Sequence, residues 1–145
     1  MVTIEFKKIS ALATEPLRMT ARASGYDLSA AIDSEVTLLP GDIKLISTGL
    51  AIALPIGFEA QIRPRSGLAL KHGIGILNAP GTIDADYRGE IGIILFNASK
   101  QAFTVTQGMR IAQMVIASVP DTFLIERDEL SSTHRETGGF GHTGF

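Results

Sequence analysis

The chain has 145 residues, 45% of them hydrophobic and 19% charged, with a net charge of −2. This is the balance of one globular domain. It excludes the charge-rich profile of disorder and offers no basic excess to neutralise a nucleic-acid backbone. Cysteine is absent, which excludes disulfides and thiolate metal sites and makes a reducing compartment the simple expectation.

Residues 1–10 alternate Val2, Ile4 and Phe6 with polar residues and lack the apolar run of a signal peptide. From Val36 onward the periodicity is two. Val36 and Leu38, Ile43 and Leu45, Leu50 to Leu54, and Phe58 to Ile62 read as short half-buried strands. Ile74 and Ile76, Ile91 to Leu95, Phe103 and Val105, and Ile111 to Ile116 continue the series. Pro40-Gly41, Pro55-Ile56-Gly57, Asn78-Ala79-Pro80-Gly81, Arg88-Gly89 and Gln107-Gly108 separate them as turns. Strands this short and this closely spaced predict an all-β sandwich or barrel. One segment differs: Ser66 to Lys71 predicts one or two helical turns with Ser66 as N-cap. Apolar runs such as Gly49–Ile56 and Ile91–Phe96 fall far short of a membrane span. A cytoplasmic protein with no membrane or nucleic-acid partner is therefore expected. After Leu130 the chain is rich in Gly, Ser and Thr and cannot bury a core of its own.

Three segments carry candidate chemistry. Arg63-Pro-Arg-Ser-Gly67 leads into the helical turn, where free N–H groups beside Arg65 form an anion site or simply an arginine-capped surface turn. Asn78 to Glu90 reads as a hairpin with its tip at Ala79–Gly81, followed by Asp84, Asp86 and Tyr87. Carboxylates one residue apart share a side of an extended strand, where they hold a metal, activate water, or belong to a solvated acidic loop. The tail holds Arg135 and Phe140 among glycines, as a frayed end or as backbone that wraps phosphate with an aromatic to stack on a base. Asp27, amid apolar neighbours, is a turn residue or a ligand. His72, His134 and His142 are too scattered for a metal site, and no motif for a covalent nucleophile or a P-loop occurs.

Taken in order, Ala23-Ser-Gly-Tyr-Asp-Leu-Ser-Ala30, Arg63-Pro-Arg-Ser-Gly-Leu-Ala69, Asn78 to Glu90, Gly108-Met-Arg-Ile-Ala-Gln-Met114 and Arg135 to Gly144 resemble the five motifs of the trimeric dUTPase family. They span nearly the whole chain. The resemblance implies a jelly-roll-like β-barrel over residues 1–130, and a flexible tail over 131–145 that closes a neighbouring subunit's site. It implies a homotrimer whose sites draw on all three subunits. The implied reaction is Mg²⁺-dependent hydrolysis of dUTP to dUMP and pyrophosphate, which limits uracil incorporation into DNA and supplies dUMP for thymidylate synthesis. Asp84 would be the general base, with Asp86 structural. Asn78, Thr82 and Ile83 would read uracil, with Tyr87 against the deoxyribose and Gly92 contributing backbone only. Arg65, Ser66, Gly67 and Gln113 would hold phosphates, and Asp27 would reach Mg²⁺ through water. Arg135 would clamp the γ-phosphate, Phe140 stack on the base, and Gly141 to Thr143 donate to phosphate oxygens. Glu136 stands where the family usually has glycine, so its carboxylate must point away from that clamp or cost affinity through like-charge repulsion. His142 stands where serine is common, leaving the hydroxyl to Thr143.

Two other readings share parts of this pattern. A dCTP deaminase has the same fold and a similar Arg-Ser segment but uses a glutamate in the hairpin region, where this chain has Ile83-Asp-Ala-Asp-Tyr87. A non-catalytic nucleotide-sensing trimer would be favoured by loss of the acid or of the tail, and both are present.

Overall fold

A computed structural model describes residues 1–138. Eleven strands and one short helix follow in order. They are β1 (Glu5–Lys8), β2 (Gly25–Ser29), β3 (Val36–Leu38), β4 (Ile43–Ser47), β5 (Leu50–Ala53), β6 (Phe58–Arg63), α1 (Ser66–His72), β7 (Ile74–Ile76), β8 (Gly81–Ile83), β9 (Gly92–Asn97), β10 (Phe103–Val105) and β11 (Arg110–Ser118). All strand pairs are antiparallel, in the orders β1-β5, β10-β3, β2-β11-β6-β8 and β4-β9-β7. This is the expected jelly-roll-like all-β fold. Its sheets are separate, however, and do not close into one hydrogen-bonded barrel among the described residues.

The period-two pattern turns one apolar row per strand inward. Leu28, Leu38, Ile46, Leu50, Ile74, Ile91, Ile93, Leu95, Val105 and Ile111 are fully buried, each large aliphatic contributing about 1.5–3 kcal/mol. Strand β4 departs from the expected face. Ile46 sits opposite Ile93, which turns Ile43 and Leu45 outward at 54% and 71% exposure. A register differing by one residue would have reversed that choice.

Two local expectations are corrected. The segment from Asn78 is not a hairpin, because β7 pairs with β9 while β8 pairs with β6. The turn between them, which contains the cis Ala79–Pro80 peptide, is a corner that carries the chain from one sheet to another. Ser66 is not the N-cap of α1; Arg65 is, in extended conformation and without a side-chain cap. A guanidinium has no acceptor with which to cap N–H groups, so Arg65 contributes only its carbonyl, which accepts from the Ala69 N–H at 3.0 Å.

Small sheets need ties beyond their ladders. Asn97 on β9 is wholly buried, and its Nδ2 donates to Leu38 O on β3 at 3.0 Å and to Gln101 O at 2.8 Å. Its Oδ1 accepts from the Ser99 N–H and hydroxyl at 2.9 and 2.8 Å. Replacing Asn97 by Leu removes the side-chain donor to Leu38 O and the acceptor of the half-buried Ser99 N–H, while Gln101 O keeps the Ser99 hydroxyl. It should destabilise the protein by about 2–5 kcal/mol, read as a lower urea midpoint at an unchanged slope.

Candidate active site

Among the described residues, every predicted site residue except Arg135 lies at one of two clefts with no lining residue in common. The first is built on β11. Gln113 pairs with Asp27 of β2 on one side and with Arg63 of β6 on the other, and beyond Arg63 the chain turns through Pro64 into α1. That register brings Asp27, Arg65, Ser66, Gly67 and Gln113 to one cleft of ≈ 350 Å³. Gln113 lies across Gly25, where a Cβ would meet its side chain at 2.4 Å; only glycine leaves room there.

Asp27 lies at the bottom of this cleft, with a side chain 8% exposed. A carboxylate this buried needs compensation. Arg110 Nη1 meets its Oδ2 at 3.0 Å and Arg65 Nη2 meets the same oxygen at 3.4 Å. Arg65 Nη1 also donates to Arg110 O at 3.0 Å. Arg65 is thus held at the mouth of the cleft beside the first-turn N–H groups of α1, which have no intrahelical partner.

The second cleft, ≈ 340 Å³, is lined by Asn78, Thr82, Ile83, Asp84, Tyr87 and Gly92, together with Leu45, Glu90 and Ile94. β8 is the edge strand of its sheet, so one row of its main-chain N–H and C=O groups is unpaired by any strand. Beyond Ile83 the chain does not continue as strand. Tyr87 N donates to Asp84 O at 3.1 Å, closing a turn, so Asp84 and Asp86 do not share a strand face as the spacing suggested. Asp84 is exposed and lines the cleft, whereas Asp86 is exposed and does not. The Asn78 amide packs over Gly81, where a Cβ would meet Nδ2 at 3.1 Å, and Leu45 packs over Gly92, where a Cβ would meet Cδ1 at 2.7 Å. Leu45, turned outward by the β4 register, becomes the apolar wall.

Glu90 escaped the sequence reading. Its Oε1 accepts the Ser47 hydroxyl in a short hydrogen bond and the Gly49 N–H at 2.8 Å. Both partners lie more than forty residues away in sequence, so no local pattern points to them. Arg110 lies within the Gly108–Met114 motif, and only the fold shows its part, a guanidinium set on Asp27.

Arg135 lines neither cleft; its Nε donates to Gly138 O at 2.7 Å. Thr133 N donates to Glu136 Oε1 at 2.8 Å, and Glu136 N donates to Thr133 Oγ1 at 3.1 Å. This reciprocal pair, a capping box in form, engages the Glu136 carboxylate with Thr133. Phe140, Gly141, His142 and Thr143 lie outside the described residues.

For Mg²⁺ the donor chemistry fits. Among the described residues no three Asp, Glu or His side chains cluster, so the protein offers a hard cation one buried carboxylate, Asp27, beside an anion cleft. That suits an ion that keeps its waters and binds chiefly to phosphates. No helix of the described residues is long and apolar enough to cross a membrane.

Solved structures share this architecture. The dUTPase of Staphylococcus bacteriophage 80alpha with dUPNHPP superposes with a TM-score of 0.90 at 27% identity, covering 99% of each chain. A variant of the dUTPase from phage phi11 of S. aureus, described as coordinating a structural Mg(II) ion, reaches a TM-score of 0.81 at 26% identity over 90% of this chain and 99% of that one. Deoxyuridine 5'-triphosphate nucleotidohydrolases of Syntrophotalea carbinolica and Desulfotalea psychrophila are each 51% identical to this chain. The matches cover 99% of this chain and 98% of the first relative, and 97% of each for the second. With the dUTPase family model matching residues 12–144, the chain belongs to the dUTPase family.

Proposed function

We propose that the protein hydrolyses dUTP to dUMP and pyrophosphate in a site shared between copies of the chain. The observation that carries this is the Asp84 cleft, where one exposed carboxylate sits beside an unpaired strand edge, an amide and a tyrosine. Uracil presents an N3–H donor between two carbonyl acceptors, which the β8 edge near Thr82 and Ile83 and the Asn78 amide can match. Cytosine inverts part of that pattern and would leave buried groups unpaired. Tyr87 fits against the deoxyribose, where a 2′-hydroxyl would crowd its ring.

Asp84 accepts a proton from water as the water oxygen bonds to the α-phosphorus. The α,β-bridging bond breaks, and pyrophosphate leaves with that electron pair. Arg65, Ser66, Gly67 and Gln113 hold the phosphate chain, with Arg65 moving its charge from Asp27 toward the substrate. Mg²⁺, held by the phosphates with Asp27 reaching its waters, would offset phosphate charge. Gly92 contributes main chain alone.

A homotrimer accounts for the two clefts. One chain presents the base-reading and phosphate-holding groups at separate places, so neighbouring copies would complete each site. Outward apolar residues support such association, including Leu45 and Ile43 on β4 and Phe123, Leu124 and Ile125 after β11. The tail, residues 131–145, would bring Arg135, Phe140, Gly141 and Thr143 from a further copy to the γ-phosphate and the base. The reaction restricts dUTP available to DNA synthesis and yields dUMP, within the cytoplasm.

Asp84→Asn should lower turnover roughly 10²-fold or more, the scale of a lost general base. Binding of a non-hydrolysable dUTP analogue should stay close to wild type; retained turnover would exclude Asp84 as the base. Pyrophosphate release from dUTP, dCTP, dTTP and UTP, with and without chelator, should show dUTP preferred and Mg²⁺ required.

Deleting residues 135–145 should leave the thermal midpoint unchanged and remove most activity. Mixed under subunit exchange, the truncated chain and full-length Asp84→Asn should regain activity, because some trimers then hold a complete site. Two inactive parents that stay inactive despite proven exchange would place the tail in its own subunit's site.

A further inference from the structure

Tyr87 is 43% exposed and lies on a turn, a poor place for a ring that must discriminate one hydroxyl. Its position is nonetheless defined. The hydroxyl donates to Glu90 O at 2.9 Å, and the ring closes over Gly89, where a Cβ would meet Oη at 2.4 Å. The acceptor carbonyl belongs to the peptide unit whose other end, Ile91 N–H, donates to Leu50 O at 2.8 Å. One peptide plane therefore joins Tyr87 to β5.

Around it the chain is stitched to residues 47–50. Ser47 pairs with Gly92, and the Thr48 hydroxyl, fully buried, donates to Ile91 O at 2.6 Å. On the Tyr87 side of this stitch Glu90 reaches across, accepting from the Ser47 hydroxyl and the Gly49 N–H. Gly49 is itself held, because the Ile9 N–H donates to its carbonyl at 2.8 Å. Its φ is +63° and a Cβ there would meet Ser10 and Ala13 at 2.8 and 2.9 Å, so this turn is packed on both sides.

We infer that Glu90 is a positioning residue for sugar discrimination: its carboxylate, anchored on Ser47 and Gly49, fixes the carbonyl that holds the Tyr87 hydroxyl. Glu90 touches no reacting atom. The inference rests on the reading that Tyr87 contacts the sugar, and the test separates the two.

The first readout is the ratio of kcat/KM for dUTP to that for UTP. Glu90→Ala should lower it about 5- to 10-fold, the scale of one lost hydrogen bond. Glu90→Gln keeps an Oε1 acceptor for both donors and should restore the ratio to within about 2-fold of wild type. Ser47→Ala, which removes one anchor and keeps the carboxylate, should lower it about 2- to 3-fold and should not add to Glu90→Ala. The second readout is the tyrosine ring NMR spectrum. The chain has two tyrosines, and Tyr26→Phe assigns the Tyr87 signals. Glu90→Ala should shift or broaden Tyr87 and spare Tyr26.

If Tyr87→Ala relaxes the ratio while Glu90→Ala and Ser47→Ala do not, the inference is overturned. If Tyr87→Ala leaves the ratio unchanged, the sugar reading fails instead, and the Tyr87 ring spectrum alone decides whether Glu90 positions it. Should Glu90→Ala fail to fold, Ser47→Ala decides by the same two readouts, and an unchanged ratio and spectrum in that variant would overturn the inference.

Discussion

Four small sheets enclose one core, and a wholly buried amide ties two of them together. Asn97 reaches from β9 to the carbonyl of Leu38 on β3 and to Gln101. Within one sheet, Thr48 carries the β4–β9 pairing on past Ser47 and Gly92 to Ile91. These groups lie where water cannot substitute for them, so each is committed to its partner. With β9 set in this way its first residue, Gly92, is set too, while Asp27, Gln113, Thr82 and Ile83 take their places from the β2-β11-β6-β8 sheet. Among the described residues no buried side-chain nitrogen or oxygen is left without a partner. The ties therefore carry no penalty of unsatisfied groups.

The two clefts follow different physics. At the first, charge dominates. Asp27 is buried and shares one oxygen between two guanidiniums, so the cleft holds an excess of positive charge. Because Arg110 alone can still face Asp27, Arg65 can leave without stranding a buried charge. At the second, shape and hydrogen-bond pattern dominate. Its wall is apolar Leu45 and its edge is the unpaired side of β8, an arrangement suited to a flat heterocycle with donors and acceptors in one plane.

Much of this was legible from residue order. The apolar run Leu50 to Leu54 located β5, which is buried on both faces. Alternation located β3, β6, β7, β9, β10 and β11, because each turns one row toward the same core. It misplaced the face of β4, since Ile43 and Leu45 are apolar yet turned outward; alternation marks a pattern and leaves its side open when both rows contain apolar residues. It did not mark β2, whose Gly25–Ser29 is almost wholly buried on both faces and so shows no alternation. The Asn78 corner was mistaken for a hairpin because turn chemistry is the same whether the next strand returns to its neighbour or departs to another sheet. The residues gathered at each cleft came from the motifs, but the division into two clefts did not. Glu90 was invisible because its partners are set by tertiary packing.

The Thr133–Glu136 pair bears on how the tail tolerates its charge. The Glu136 carboxylate accepts from the Thr133 N–H, a donor that any residue but proline supplies, and the Thr133 hydroxyl accepts in return from the Glu136 N–H. The acid is therefore held by main chain, and the side chain at 133 secures only the other half of the loop. An alanine at 133 would leave the carboxylate its partner and free the Glu136 N–H, whereas a proline there would release the carboxylate itself.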